Sequence, residues 1–175
     1  GAQAVEGVVQ VLEIDYSPML RQIELGFASV RRPGPVIAVV AENTWAAIKG
    51  REALEISWNE GEYADFDSAS YWEELSQTLQ ESLDQLSEGQ PEAASQIEAT
   101  YQCPFVAHVP LEPMNATVDM NPDHPEAWLP TQFPDQARTL MPQAKINVTR
   151  MGGAFGRRAV LDYGVEAMSV SQAAG

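Results

Sequence analysis

Thr149-Arg150-Met151-Gly152-Gly153-Ala154-Phe155-Gly156-Arg157-Arg158 is a glycine loop set between a predicted strand, Lys145 to Arg150, and a predicted helix, Val160 to Ala174. Three glycines in five positions let the backbone turn tightly and approach a bound group that a Cβ would hold off. The spacing is neither G-x-G-x-x-G nor G-x-x-x-x-G-K-[ST], which excludes a dinucleotide fingerprint and a P-loop. The run from Arg138 to Arg158 adds Lys145, Arg150 and Arg157 with no acidic residue, inside a chain of formal net charge -15. Such a run is expected to draw an anion. An ordinary strand-to-helix turn with solvated arginines fits the same residues, and the glycines alone leave both readings open.

Working back from the loop, Pro134 suits the first turn of a helix through Met141, preceded by short strands at Glu126 to Leu129 and Ala116 to Met120. The stretch Cys103 to Asn115 holds three prolines, which force an extended, irregular path. Glu112 in that stretch is expected to receive backbone N–H bonds rather than act as a base. His108 and His124 lack the spaced cysteines or carboxylates of a zinc site, and Cys103 beside Pro104 reads as a buried thiol. Ile97 to Gln102 is predicted as a strand.

Farther back, polar Gln90 to Ser95, with Pro91, reads as a linker between two domains. Ser68 to Ser87 is a predicted helix whose Trp72, Leu75, Leu79, Leu83 and Leu86 form one apolar stripe, expected to pack against a core or a domain. Pro35 to Ala41 suits a buried strand, Asn43 or Thr44 caps a helix from Trp45 to about Ala53, and Leu54 to Trp58 alternates as a strand. That order predicts a βαβ-like unit with the two strands neighbouring. Val5 to Ile14 is a further strand, and Tyr16 to Pro35 mostly loop.

Composition narrows the function classes. A pI near 4.3 argues against nucleic acid or an anionic membrane surface as partner. No Lys or Arg occurs between Arg51 and Arg138, which implies a solvated acidic face or one that docks on a basic neighbour. A single cysteine excludes an internal disulfide framework and an iron–sulfur site. No apolar run is long enough to cross a bilayer. The ends, without an initial methionine and with a small-residue close, suggest a piece of something longer.

Four collinear segments carry a resemblance. They are Pro35 to Glu60 with Asn43-Thr44-Trp45-Ala46-Ala47, Phe105 to Thr117, Ala127-Trp128-Leu129-Pro130-Thr131-Gln132, and Gly152 to Arg158. Together they resemble the molybdenum-binding large subunit of the xanthine oxidase family, in its isoquinoline 1-oxidoreductase-like branch of bacterial aldehyde and N-heterocycle dehydrogenases. The resemblance implies an α+β fold. Residues 1–90 would form a hammerhead-like α/β domain that includes the acidic helix, and 96–175 the N-terminal part of a molybdopterin-binding domain.

It further implies a molybdopterin cytosine dinucleotide carrying molybdenum, a small-molecule substrate oxidised with water as oxygen source, and electrons leaving through an iron–sulfur small subunit. The partners are then the rest of the large subunit and that small subunit, with no nucleic acid and no membrane insertion. Gln132 would hydrogen-bond an oxo group of the cofactor, and Phe155 would shape the substrate pocket. Gly152, Gly153, Ala154, Gly156 and Arg157 would join these two in holding the cofactor, with no direct metal ligand. Ala154 replaces a common glycine, and Ala159 stands where the xanthine-oxidising branch has a glutamate, which disfavours purines. The base would lie beyond Gly175, so this piece alone is expected to hold no molybdenum and turn nothing over. The periplasm is the implied compartment, with the cytoplasm as alternative. A non-catalytic acidic interaction domain derived from such an enzyme is the competing expectation.

Overall fold

The computed structural model describes residues 1–20, 24–25, 28–29, 35–87, 97 and 99–175. Helices and sheets are mixed, as an α+β fold requires. The chain divides into two compact units, one built from Gly1–Glu55 with Val106–Gly175 and the other from Ile56–Phe105. The linker expected at Gln90 to Ser95 lies outside the described residues.

In the first unit a short 3-10 turn leads into β1 (Val8–Ile14), followed by α1 (Ser17–Leu20), a two-residue ribbon of β2 (Glu24–Leu25) and β3 (Ala28–Ser29), and β4 (Val36–Ala41). β1 and β4 pair antiparallel, with Val11 opposite Val39 and Ile14 opposite Val36. Their β-branched residues favour this pleated pairing. Helix α2 (Thr44–Glu52) follows, its first turn capped by the Asn43 side chain accepting from the Ala46 N–H at 3.0 Å.

The expected neighbouring strand at Leu54 to Trp58 does not form. The Leu54 N–H closes the helix on the Arg51 carbonyl, and Trp58 is 79% exposed, so the alternating pattern finds no partner edge. β4 pairs instead with the earlier β1. The chain therefore makes a hairpin-like pair there, not a βαβ unit.

Helix α3 (Ser68–Ser87) belongs to the other unit, and the second part of this one holds β5 (Thr117–Asp119), β6 (Glu126–Leu129), α4 (Pro134–Leu140), β7 (Lys145–Val148) and α5 (Asp162–Ala174). β6 runs antiparallel to β5 and parallel to β7, so the chain crosses over through α4. Ala127, Leu129, Ala137, Met141, Leu161, Val165 and Met168 are buried together with Ile14 and Tyr16 of the N-terminal segment. Tyr16 donates its hydroxyl to Glu166 on α5. A Cβ on Gly164 would meet Leu129 at 3.3 Å and Met141 at 3.4 Å, which is how close α5 lies on the sheet.

In the second unit, α3 (Ser68–Ser87) forms as predicted, with Asp67 accepting from the Ser70 N–H at its start. Its apolar stripe is not a core. Leu79 is 51% exposed and Leu83 nearly as much. Tyr71 stacks on Phe105 with ring centroids 5.6 Å apart, and Phe66 and Trp72 complete the aromatic cluster. The described residues of Ile97 to Gln102 form no strand. Cys103 is exposed, against the expectation of a buried thiol, because the Pro-rich path leaves no layer over it.

Candidate functional site

Two adjacent parallel strands release their chains on the same edge of a sheet, and β6 and β7 do so here. β6 runs out into Pro130, Thr131 and Gln132, and β7 into the glycine loop. The Thr149 N–H donates to the Leu129 carbonyl at 3.1 Å, so the ladder persists to the point where the two loops part. Arg158 then joins them again. Its carbonyl accepts the Gln132 N–H at 3.1 Å and the Thr131 hydroxyl at 3.3 Å. Thr131 is buried, and its Oγ1 also accepts from the Phe133 N–H, which fixes the turn that presents Gln132. Gln132 itself is exposed, a neutral amide able to donate without adding charge.

The loop holds its shape through glycine. Gly153 lies at φ 106° and Gly156 at φ 86°, the left-handed side that glycine occupies without strain. Phe155 between them is forced to φ 50°, and its ring is 72% exposed. Among the described residues the backbone N–H groups of Gly153, Ala154, Phe155 and Gly156 have no hydrogen-bond partner. Four successive donors are thus available.

The side chain of Arg158 is fully buried. Its Nε donates to the Gly153 carbonyl at 2.9 Å, and its Nη2 to the Glu112 carboxylate at 2.8 Å and the Glu112 carbonyl at 3.0 Å. The remaining Nη1 is a buried donor without a partner among the described residues. Glu112 also accepts the Gly152 N–H at 2.9 Å and the Asn115 amide at 3.1 Å. The Gly152 N–H bond, then that of Asn115, hold its carboxyl below the ordinary carboxylate value, with the Arg158 charge adding to the effect. The expectation that Glu112 receives backbone N–H bonds is met by this contact. Tyr163 on α5 closes the rear of the site by donating to the Pro130 carbonyl at 3.0 Å, and burial pushes its hydroxyl pKa up.

The expected pull on anions is largely quenched. Arg138 pairs with Asp135, Lys145 with Glu126, Arg157 with Asp162 and Arg158 with Glu112, each acid coming from outside the basic run. Arg157 spends both terminal nitrogens on Asp162 at 2.8 Å, which raises its pKa and directs it to the start of α5. Among the described residues no cluster of His, Cys, Asp and Glu could ligate a metal.

The residues present suit a group that brings its own metal ligands. A row of unpaired N–H donors, a buried unpaired guanidinium nitrogen and a neutral amide can hold oxygen-rich edges without competing for the metal. Reading the sequence alone missed the network of Glu112, Asn115, Thr131 and Arg158. Its one visible sign was a lone carboxylate in a proline-dense loop.

Comparison with known proteins adds two findings. A family model described as the molybdopterin cofactor-binding domain matches residues 73–174. A protein of Gluconacetobacter polyoxogenes named membrane-bound aldehyde dehydrogenase [pyrroloquinoline-quinone] is 28% identical over 155 residues, 79% of this chain. The chain spans about a fifth of that relative's length, 20% of it.

Proposed function

Because the chain belongs to the molybdopterin cofactor-binding domain family, we propose that it is part of the large subunit of a molybdenum hydroxylase that oxidises aldehydes or N-heterocycles. The carrying observation is that one residue, Arg158, holds Gln132 and the glycine loop at the same sheet edge. In this reading residues 1–90 belong to a hammerhead-like domain and 96–175 open the cofactor-binding domain. The cofactor takes the cytosine dinucleotide form, electrons pass to an iron–sulfur small subunit, and the enzyme works in the periplasm. The isoquinoline 1-oxidoreductase-like branch suits the motifs best.

The bound cofactor supplies oxygen transfer from water coupled to a two-electron oxidation. Gln132 donates its amide N–H to an oxygen on which negative charge grows, a preorganised dipole that favours the transition state. The N–H groups of Gly153 to Gly156 fix the cofactor edge, and the exposed Phe155 ring walls the substrate side. Glu112 is already committed to Gly152 and Arg158, so the base comes from another part of the enzyme.

The test uses the intact enzyme. Gln132→Ala at full molybdenum occupancy should lose roughly tenfold to a hundredfold in turnover, about 1 to 3 kcal/mol, with little change in KM. Unchanged turnover would overturn the placement. Metal and quinone analysis separates the two cofactor types: molybdenum near one per large subunit supports the reading, and a quinone without molybdenum sinks it. A second reading, a non-catalytic acidic interaction domain, is favoured by the absence of any Lys or Arg in Ile56–Phe105. Substrate turnover by the intact protein would exclude it.

A further inference from the structure

The glycine loop does not stand alone: the proline-dense loop before β5 is clamped to it at three points. The Glu112 N–H donates to the Gly152 carbonyl at 3.0 Å, the Glu112 carboxylate takes the Gly152 N–H, and the same carboxylate meets the buried Arg158. The backbones touch as well, since a Cβ on Gly152 would lie 2.5 Å from the Glu112 Cβ and one on Gly153 3.4 Å from the Pro110 Cα. The only two non-glycine residues with positive φ among those described flank this contact, Val109 at 43° and Phe155 at 50°. A β-branched residue is costly there, and strain of this kind persists where the surroundings over-determine it.

From this geometry we infer that Glu112 is a positioning residue for the reaction. Its carboxylate locks the Val109 to Glu112 turn onto Gly152 and Arg158, and so holds the glycine loop that carries Phe155 in place relative to the strand end that leads to Gln132. The turn becomes a second wall of the site, offering the exposed side chains of Val109 and Leu111. Arg158 transmits the constraint, because its guanidinium holds Glu112 and Gly153 while its carbonyl holds Thr131 and Gln132. The inference rests on the proposed function for what is being positioned, but the clamp itself is independent of any cofactor.

The experiment has two arms. In the 175-residue chain without cofactor, amide hydrogen exchange is followed at Gly152 and across 153–158, with helix α2 as the internal reference. Glu112→Gln should speed exchange at Gly152 at least tenfold and leave α2 unchanged. The paired variant Glu112→Gln with Arg158→Met removes both charges without stranding a buried one. It should show the same local loss if the single variant fails to fold. In the intact enzyme, turnover per bound molybdenum should fall at least tenfold in Glu112→Gln. Asn43→Ala, which uncaps α2 where it packs on β1 and β4, should lower thermal stability with turnover per molybdenum unchanged. Unaltered exchange at Gly152 overturns the clamp. Faster exchange with unaltered turnover per molybdenum overturns its role in the reaction, while failure of the cofactor assignment itself is read separately from Gln132→Ala and the metal analysis.

Discussion

The two compact units use hydrophobic residues in opposite ways. In the unit of Gly1–Glu55 and Val106–Gly175, Leu129 and Val165 are sealed off from water between the sheet and α5, while Val9, Trp45 and Val148 on the outer faces of its elements stay exposed. In Ile56–Phe105, helix α3 carries a regular leucine stripe of which Leu75, Leu79 and Leu83 all remain exposed. Periodicity therefore marks a face, and only a covering layer turns that face into a core. The same sequence signal has two energetic values in one chain.

Leu129→Ala gives the largest effect expected from this contrast. A fully buried leucine beside Met141 and Gly164 should cost about 2 to 5 kcal/mol, read as a lower denaturation midpoint. A loss below that range would mean the sheet face is less tightly packed than its burial implies. Gly152→Ala comes next. The added methyl meets Glu112 at 2.5 Å, and the overpacking should cost about 1 to 3 kcal/mol in thermal unfolding, with the two loops wedged apart.

Acid should act on the same contact. The Glu112 carboxyl is lowered from an ordinary 4.5 by the Gly152 N–H, the Asn115 amide and the Arg158 charge. A group lowered on folding binds fewer protons folded than unfolded, so its contribution is present above the ordinary value and lost as pH falls through the folded one. The stability gap between the native chain and Glu112→Gln should therefore be constant near neutrality and close below the ordinary carboxylate range. A gap that stays open at low pH would remove the carboxylate from the account. Leu79→Ala should have the smallest effect, within about 0.5 kcal/mol, because the side chain loses little burial. A large destabilisation there would show that the stripe is covered in solution and would erase the contrast.

Much of this was legible from local pattern. Asn43 announced α2, Pro134 announced α4, and the residues on either side of Gly152 to Gly156 marked a strand and a helix. Gln132 and the glycine loop were legible as partners through the resemblance, which sets both beside one cofactor. Leu54 to Trp58 was not, since alternation shows that a segment can be a strand but not whether an edge is free to receive it. The Glu112 network was hidden for a related reason. Its partners across the two loops, Gly152 and Arg158, lie 40 and 46 positions away, and no periodicity spans that separation. Arg158 looked like one more surface cation and is instead fully buried.

The first unit is discontinuous in sequence: its two segments are separated along the chain by Ile56–Phe105, yet Ile14 and Tyr16 sit in one core with Leu161 and Met168. Covalent continuity and structural continuity are therefore different things in this protein. A protease cut inside Ile56–Phe105 would break the polypeptide and leave the sheet, α5 and the loops beside Arg158 gripping one another. The nicked chain should migrate as a single particle in native conditions and separate into two peptides only in denaturant.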